Sequence, residues 1–475
     1  MKMATLFARA LGLTLVTALA GCMVGPDYRA PDPVLPDRWK AARDPQAALK
    51  PVSEDTLKTW WQTFGDPELN RLMERARAGN FDLKIAYARI EQARAEARAN
   101  RAELFPRVSA AGIAARQDNI LPTGGRGPSG LNFFLAGFDA VWEIDVFGRL
   151  HRKLEAAAAQ TERAAEDYRQ SWVLLTSELA CTYTGYRKLQ EQLRITKANL
   201  EAQRHTLALA GQLYREGLGT RYDVDRAGAQ VDATAARIPA LEGQLTDLQH
   251  RLEILVGAQP GALALQLAQP AELPDSASRA LLTTPAATLR YRPDVRGAER
   301  ALAAATATQG AAFGELFPKI SVAAFAGLHN SDLENLFRSS SFAWASGTAI
   351  TQPIFNFGRI RAGIDLADAR QQEAWFAYQK TVLAALQETE TAMARFLKEE
   401  QRRRELLRSL AALKDARRQA ELRYREGLGT YLDVLDAQRA VLAAELDLAQ
   451  SRAEVTTDLI AVYKALGGAG GRWTS

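Results

Sequence analysis

At 475 residues the chain is long enough for two to four ordinary domains or for one large extended structure. Hydrophobic residues make up 47% of it and charged residues 24%, so it can bury a core. Beyond the amino terminus no run of about 18 apolar residues occurs, which excludes a transmembrane helix. The net charge is only +5 with both signs interspersed, a pattern typical of solvated helix faces and not of a nucleic-acid-binding surface.

Residues 1–21 are predicted to be a lipoprotein signal peptide. Lys2 and Arg9 form its basic end, and the apolar stretch 10–20 is too short to span a bilayer. The stretch leads into Ala20-Gly21-Cys22, which resembles the bacterial lipoprotein box, so cleavage would leave Cys22 as a lipid-bearing amino terminus. An ordinary secretory signal with a chance cysteine is the alternative. No Asp follows Cys22, which by analogy with lipoprotein sorting predicts the outer membrane.

Three motifs of the first half recur in the second half, which indicates a tandem duplication of one large unit. The first repeats after 212 residues and the other two after 210, so the segment between them should contain an exposed loop of variable length. The motif pairs are Leu104-Phe105-Pro106 with Leu316-Phe317-Pro318, Phe147-Gly148-Arg149 with Phe357-Gly358-Arg359, and 214–220 with 424–430.

Each half is predicted to contain a helix, a strand pair, a very long helix, a tight turn and a further helix. In the first half, one helix is expected over 67–103 and ends before Pro106. Residues 148–213 and 358–425 contain no proline and are rich in Ala, Glu, Arg and Leu, and the first would be about 95 Å long. Helices of this length need partners, so we expect coiled-coil packing.

Strands are predicted at four places, two in each half. Apolar residues occupy alternate positions most clearly in 134–145 and 319–329, and less clearly in 107–117 and 342–353. In a chain lipidated for the outer membrane, this pattern favours transmembrane β-strands, with a small soluble sheet packed on helices as the alternative. Four strands cannot close a barrel, and lipid does not tolerate an open sheet edge, so spanning strands require several protomers that share one barrel.

Catalysis finds little support in the residues. The four histidines, His151, His205, His250 and His329, are scattered, and no metal-ligand pair, phosphate-binding glycine loop or nucleophile elbow occurs. Cys181 is the one cysteine besides the lipidation site, and its apolar helical context predicts a buried small side chain. We therefore predict a protein that is not an enzyme and has neither a metal nor a cofactor apart from the covalent lipid.

Over nearly its whole length the chain resembles the outer membrane factors of tripartite efflux pumps, the TolC type, and within them the NodT-like lipoprotein branch. The order of the motifs and the duplication together carry this resemblance, which no single motif does alone. The matching pieces are the segment Cys22 to Tyr28, Trp60-Trp61, Phe64-Gly65-Asp66-Pro67, Arg292-Pro293-Asp294-Val295, both Phe-Gly-Arg motifs and both Gly-Leu-Gly-Thr turns.

The resemblance implies a mainly α fold with a membrane β-barrel portion. It implies a homotrimer in which each protomer contributes four strands to a shared twelve-stranded barrel, with long coiled-coil helices forming an α-barrel across the periplasm. As a function it implies a passive exit duct for drugs and small molecules, with a periplasmic adaptor (a membrane fusion protein) and an inner-membrane RND-type pump as partners. The alternatives are the exit duct of a type I protein secretion system and a non-transport coiled-coil lipoprotein.

On this interpretation, the chain has six segments. They are the signal peptide 1–21, a lipidated extended segment 22–65, the first repeat 66–257, an equatorial linker 258–283, the second repeat 284–466 and a carboxyl-terminal tail 467–475.

The candidate functional site is the pair of turns that follow the two long helices. The first turn is Gly217-Leu218-Gly219-Thr220 and the second turn is Gly427-Leu428-Gly429-Thr430. The glycines suit a tight turn, and the leucines are predicted to be exposed contacts for the adaptor. Asp223 and Asp433 each follow the threonine by three residues, which predicts that they cap the next helix, and both are also predicted to lie at the periplasmic aperture.

The acidic residues after the second turn have a further interpretation. The resemblance implies that trimerisation brings Asp433 and Asp436 into rings that narrow the resting periplasmic aperture, and such rings attract cations. For Asp433, capping alone and capping with gating both stay open, whereas Asp436 lies outside the cap and favours gating. The first half has Arg226 in place of Asp436 and Arg221 in place of Tyr431. We hypothesise that one of these arginines pairs with an acid on the neighbouring hairpin and holds the aperture closed.

Overall fold

A computed structural model describes residues 23–40, 50–51, 54–117, 131–269, 271–274, 281–282 and 284–468. The predicted signal peptide, Cys22, the first-half loop within 118–130 and most of the predicted tail lie outside these residues. The chain divides into two compact units. The first unit comprises Met1–Asp32, Arg89–Ala165 and Gly297–Gln379, and the second comprises Pro33–Ala88, Glu166–Arg296 and Lys380–Ser475.

Most of the described residues are helical. Two helices have 67 residues each and coincide with the long proline-free segments. In the described ranges, no helix combines the length and apolarity needed to cross a bilayer. The helices are α1 (Glu54–Lys58), α2 (Pro67–Gly79), α3 (Phe81–Ala102), α4 (Arg149–Arg215), α5 (Arg221–Ala235), α6 (Arg237–Leu255), α7 (Ala264–Leu267), α8 (Pro285–Tyr291), α9 (Pro293–Gly314), α10 (Arg359–Arg425) and α11 (Tyr431–Ala465), with a 3₁₀ turn at Trp60–Phe64.

The prediction of one helix over 67–103 is wrong, because the chain breaks at Asn80 between α2 and α3. Asn80 has an extended backbone, and its side-chain oxygen accepts a hydrogen bond from the Leu83 backbone N–H at 3.0 Å. Its side-chain amide donates to the Leu255 carbonyl at 3.0 Å. Gly79 lies so close to this segment that a Cβ would sit 2.2 Å from the Val256 carbonyl oxygen. Capping and close approach therefore override helix propensity here.

The second unit is built around one large aromatic and aliphatic core. Trp60 is fully buried and stacks on Tyr463 with ring centroids 5.2 Å apart, while Phe64 meets Trp60 edge-on. Asp66 caps α2 by accepting from two backbone N–H groups and also accepts from the Tyr183 hydroxyl at 2.7 Å. The Trp-Trp and Phe-Gly-Asp-Pro motifs thus serve packing and capping. A short parallel pair, β1 (Lys50–Pro51) with β4 (Leu281–Leu282), also belongs to this unit.

The first unit contains a four-stranded antiparallel sheet. Its strands are β2 (Arg107–Gln117), β3 (Leu131–Ile144), β5 (Lys319–Asn330) and β6 (Phe342–Thr351), in the order β2-β3-β5-β6. All four predicted strands are therefore confirmed. In the described single chain, the outer strands β2 and β6 each have a neighbour on one side only. Large apolar side chains are exposed along the sheet, among them Phe138, Trp142, Phe342 and Trp344.

Burial makes the stability of the second unit sensitive to pH at Asp458 on α11. Burial raises the pKa of this carboxyl to about 6, and Glu399 adds to the effect. The native chain then holds a proton that the unfolded chain releases near pH 4, so the free energy of unfolding should fall as pH rises from about 4 to about 6. Asp458→Asn should weaken this slope and exceed the wild type in stability at pH 7.5. Denaturant titrations of detergent-solubilised protein would measure both effects. The exposed Asp447 on the same helix supplies the control Asp447→Asn, and equal slopes for all three proteins would contradict the prediction.

Candidate functional site

Both long helices end in the same hydrogen-bonded turn. Gly217 and Gly427 have φ values of 77° and 71°, a conformation that strains any residue with a Cβ. The N–H of Leu218 donates to the Leu213 carbonyl at 2.9 Å, and the N–H of Leu428 donates to the Arg423 carbonyl at 2.8 Å. Each of these bonds spans six residues. Together with the hydrogen bond that each glycine N–H donates to the preceding helix, it satisfies backbone carbonyls that would otherwise lack a partner at the helix end.

Each turn is followed by a complete capping box. The Thr220 hydroxyl accepts from the Asp223 N–H at 3.2 Å, and the Asp223 carboxylate accepts from the Thr220 N–H at 3.3 Å. The corresponding distances at Thr430 and Asp433 are 3.3 Å and 3.0 Å. The predicted capping role of both aspartates is thus confirmed. Hydrogen bonds from the Thr430 backbone and then its hydroxyl lower the pKa of Asp433, which keeps this carboxylate charged.

Asp436 follows one helical turn after Asp433, and both side chains are exposed. The arrangement leaves two carboxylates near the start of α11 that can face solvent or another chain. Rings of these carboxylates at an aperture would require several protomers, so the rings stay a prediction.

The two turns differ in how they pack. At the second turn, Tyr424 and Tyr431 are buried with ring centroids 6.0 Å apart, and Ala227 of α5 packs in the same cluster. At the first turn, the tyrosines Tyr214 and Tyr222 are exposed. The arginine that replaces a tyrosine at position 221 cannot fill an apolar site of this kind without burying its charge. The two turns, which differ in sequence, therefore also differ in how their tyrosines pack.

Arg221 and Arg226 contact their own helix in the single chain. Arg221 forms an ion pair of 3.6 Å with Asp225. Arg226 donates to the Tyr222 hydroxyl at 3.2 Å, and its guanidinium lies 5.6 Å from the centre of that ring. Both are exposed or half-exposed contacts of modest energy that a neighbouring acid could replace. Pairing across hairpins stays a prediction for the assembled protein.

Leu218 and Leu428 are largely exposed to solvent in the two turns. Their exposed fractions are 75% and 72%, so their predicted exposure is confirmed. Gly219 and Gly429 lie against the preceding helix, where a Cβ would approach Leu213 or Arg423 at 3.2 Å. Each turn thus presents one leucine on a compact backbone, although contact with an adaptor remains a prediction.

A second structured feature escaped the sequence analysis. Residues Met23–Tyr28, here called the N-terminal strap, belong to the first unit and contact its other segments. The Val24 N–H donates to the Phe147 carbonyl at 3.2 Å, and Arg152 donates to Asp27 at 2.6 Å with its own side chain almost fully buried. Tyr28 donates to Glu299 at 2.8 Å. Arg152 belongs to a helix rich in Arg and Glu, so its sequence context did not predict that this arginine, unlike a solvated charge, is buried.

Comparison with known proteins identifies the family. The outer membrane efflux protein family matches residues 72–258 and again 284–468. The antibiotic efflux pump outer membrane protein ArpC of Pseudomonas putida is 32% identical over 461 residues, covering 95% of this chain and 93% of that protein. The toluene efflux pump outer membrane protein TtgC, also of Pseudomonas putida, has the same identity and coverage. The solved structure of the outer-membrane channel OprN is 36% identical with a TM-score of 0.88, covering 94% of this chain and 99% of that chain. With a family match over most of its length, this chain belongs to the outer membrane efflux protein family.

Proposed function

We propose that the chain is the outer-membrane exit duct of a tripartite efflux system. Three copies share one barrel of twelve strands in the outer membrane, while the long helices extend into the periplasm. A periplasmic adaptor joins the duct to an inner-membrane RND-type pump, which supplies the energy. The duct itself is passive and performs no catalysis.

The observation that carries this proposal is the open four-stranded sheet. Its strands have 10 to 14 residues, which is enough to cross the hydrocarbon core when tilted. Exposed aromatic side chains such as Phe138 and Trp344 suit a lipid-facing surface with interfacial anchors. The unpaired backbone groups of β2 and β6 would be very unfavourable in lipid unless a neighbouring chain paired with them.

The cargo is proposed to be small organic molecules, because the relatives ArpC and TtgC are described as outer membrane proteins of antibiotic and toluene efflux pumps. A cell lacking this chain should be more susceptible to such compounds than its parent. Purified chain should form SDS-resistant trimers in outer-membrane fractions and conduct ions in planar bilayers. Monomers without conductance would overturn the proposal, as would unchanged susceptibility in a strain with no second duct.

Anchoring is proposed to occur through lipid on Cys22. The N-terminal strap supports this, because Met23, which follows Cys22 in the sequence, packs on Gly148, four residues after the end of β3. Metabolic labelling with a fatty acid should mark the wild type and not Cys22→Ser. Labelling of both proteins would show a different modification site.

The exposed leucines of the turns give a test of the adaptor contact. Leu218→Glu with Leu428→Glu should abolish crosslinking from the turns to a co-expressed adaptor, because a desolvated apolar contact would be replaced by a charge. Thermal unfolding should not change, since both side chains are exposed. Leu265→Glu, at an exposed leucine on α7, is the matched control. Undiminished crosslinking would show that these two leucines do not hold the adaptor.

A further inference from the structure

The two faces of the four-stranded sheet differ in charge. Its strands pair without interruption, so residues with odd numbers share one face of all four strands and residues with even numbers share the other. The even face carries most of the aromatic side chains, and Arg116, one residue before the end of β2, is its one ionisable residue in the described strands. The odd face carries the ionisable residues Arg107, Asp139, Glu143, Lys319 and His329.

This difference indicates which face lines the passage of the barrel proposed above. Ionisable side chains are unfavourable against lipid, and in membrane proteins they face a water-filled passage or one another. The exposed rings of Phe138, Trp142 and Trp344 on the even face suit contact with lipid instead. Asp139 on the odd face, five residues before the end of β3, then lies inside the passage, roughly 17 Å from the helical end of its strand.

The half-buried carboxylate of Asp139 differs from the other acid on this face. Glu143 is neutralised by Arg149 at 2.7 Å. Among the described residues, no ion pair or hydrogen bond includes the Asp139 carboxylate, although Arg107 lies in the neighbouring row of the sheet. The wall of the passage therefore carries a negative charge that the chain itself leaves unpaired.

An aromatic ring lies beside this charge. Phe325 on β5 is directly opposite Asp139 on β3. A Cβ added to Gly137 would be 2.9 Å from the Phe325 Cζ atom, and a Cβ added to Gly327 would be 2.8 Å from it. Because a Cβ points to the face that its residue occupies, the ring extends over these two opposed glycines and along the odd face. It thus lies on the wall and does not project across the passage.

Covering the glycines accounts for the ring but not for the acid. An aromatic side chain over glycines stabilises a sheet without help from a carboxylate. A carboxylate whose Cβ is about 4.5 to 5.5 Å from that of the opposed aromatic residue adds a second property. Together the negative charge and the π face attract organic cations, by Coulomb attraction and by the cation–π interaction.

We infer that Asp139 and Phe325 form a wall site for organic cations inside the barrel, one in each copy of the chain. The site rests on the proposed duct and adds a class of cargo to it: small aromatic or quaternary ammonium compounds with a positive charge. Since the ring lies along the wall, a bound cation leaves the passage open. The attraction at such an exposed site is weak, which lets the cargo leave again.

Saturation-transfer NMR tests the site with benzyltrimethylammonium as the probe, on SDS-resistant trimers in uncharged detergent at low salt. The parent protein carries Asp433→Ala and Asp436→Ala, which removes the other predicted cation site. Asp139→Asn and Phe325→Leu should each raise the dissociation constant of the probe about two- to fivefold, the range of an exposed ion pair or cation–π contact. Benzenesulfonate, an anion of similar size, should bind much more weakly than the cation.

Two control variants change the same residue types elsewhere in the first unit. Asp332→Asn removes an exposed carboxylate between β5 and β6, and Phe138→Leu removes a ring from the even face, so both should bind the probe as the parent does. A dissociation constant unchanged by Asp139→Asn, or equal binding of benzenesulfonate, would overturn the site. Lower thermal stability of Phe325→Leu with unchanged binding would do so too, because the ring would then only cover the glycines. Absence of SDS-resistant trimers in the parent protein would instead overturn the proposed function.

Discussion

Arg292→Ala is expected to destabilise the second unit by about 3 to 5 kcal/mol, the usual effect of removing one partner from a buried ion pair. The Arg292 side chain is only 7% exposed and donates to Asp294 at 2.6 Å and to Glu388 at 2.8 Å. It also donates to the carbonyl of Ala465 at 2.9 Å, near the end of α11. One guanidinium therefore joins the start of α9, the long helix α10 and the end of α11.

The effect should be large because Arg292 is itself buried and donates to two partly buried acids and a carbonyl at once. Burial by itself would raise the pKa of Glu388, but Arg292 and then Lys464 hold that pKa below its ordinary value. Without the guanidinium, Glu388 would lose one of these two cationic partners and keep the other, Lys464, at 3.0 Å. The Ala465 carbonyl would also lose its charged donor and keep only Thr389, at 3.3 Å.

Thermal unfolding followed by circular dichroism in detergent would measure this loss. Arg290→Ala removes an exposed arginine two residues earlier and should have little effect. Arg292→Lys should be intermediate, because an ammonium keeps the charge but cannot serve several acceptors in one plane. A melting temperature for Arg292→Ala equal to that of Arg290→Ala would mean that the network does not stabilise the fold.

The second large effect is expected at the turns. Asp433→Ala with Asp436→Ala should raise single-channel conductance severalfold in planar bilayers and reduce cation selectivity. The physical reason is that rings of carboxylates at a narrow aperture attract cations and restrict the opening. Both side chains are exposed in the single chain, as the predicted rings require.

Two single variants separate gating from capping. Thr430→Ala removes the hydroxyl from the capping box and should cost about 1 kcal/mol of stability, yet both charges remain. Asp436→Asn keeps the cap intact and removes one charge while the shape of the side chain stays nearly unchanged. If gating depends on charge, conductance and selectivity change in Asp436→Asn and not in Thr430→Ala. The opposite pattern, or no change in the double alanine variant, would leave capping as the only role of these residues.

Local patterns were sufficient for much of this fold. Absence of proline predicted both long helices to within about two residues of their ends. The Thr-x-x-Asp spacing predicted both capping boxes, because the partners of a cap lie within one helical turn. Alternation of apolar residues located the strands, and the repeat showed that the chain carries them twice.

Contacts between residues distant in sequence decided the rest, because no local pattern records them. Asn80 ends a helix where its amide reaches Leu255, a residue far along the chain. Arg152 and Arg292 look like solvated charges in their Arg-rich segments, and only folding buries them beside Asp27 and Glu388. The duplication could be identified in the sequence alone, whereas the register that joins the two halves follows only from the paired strands.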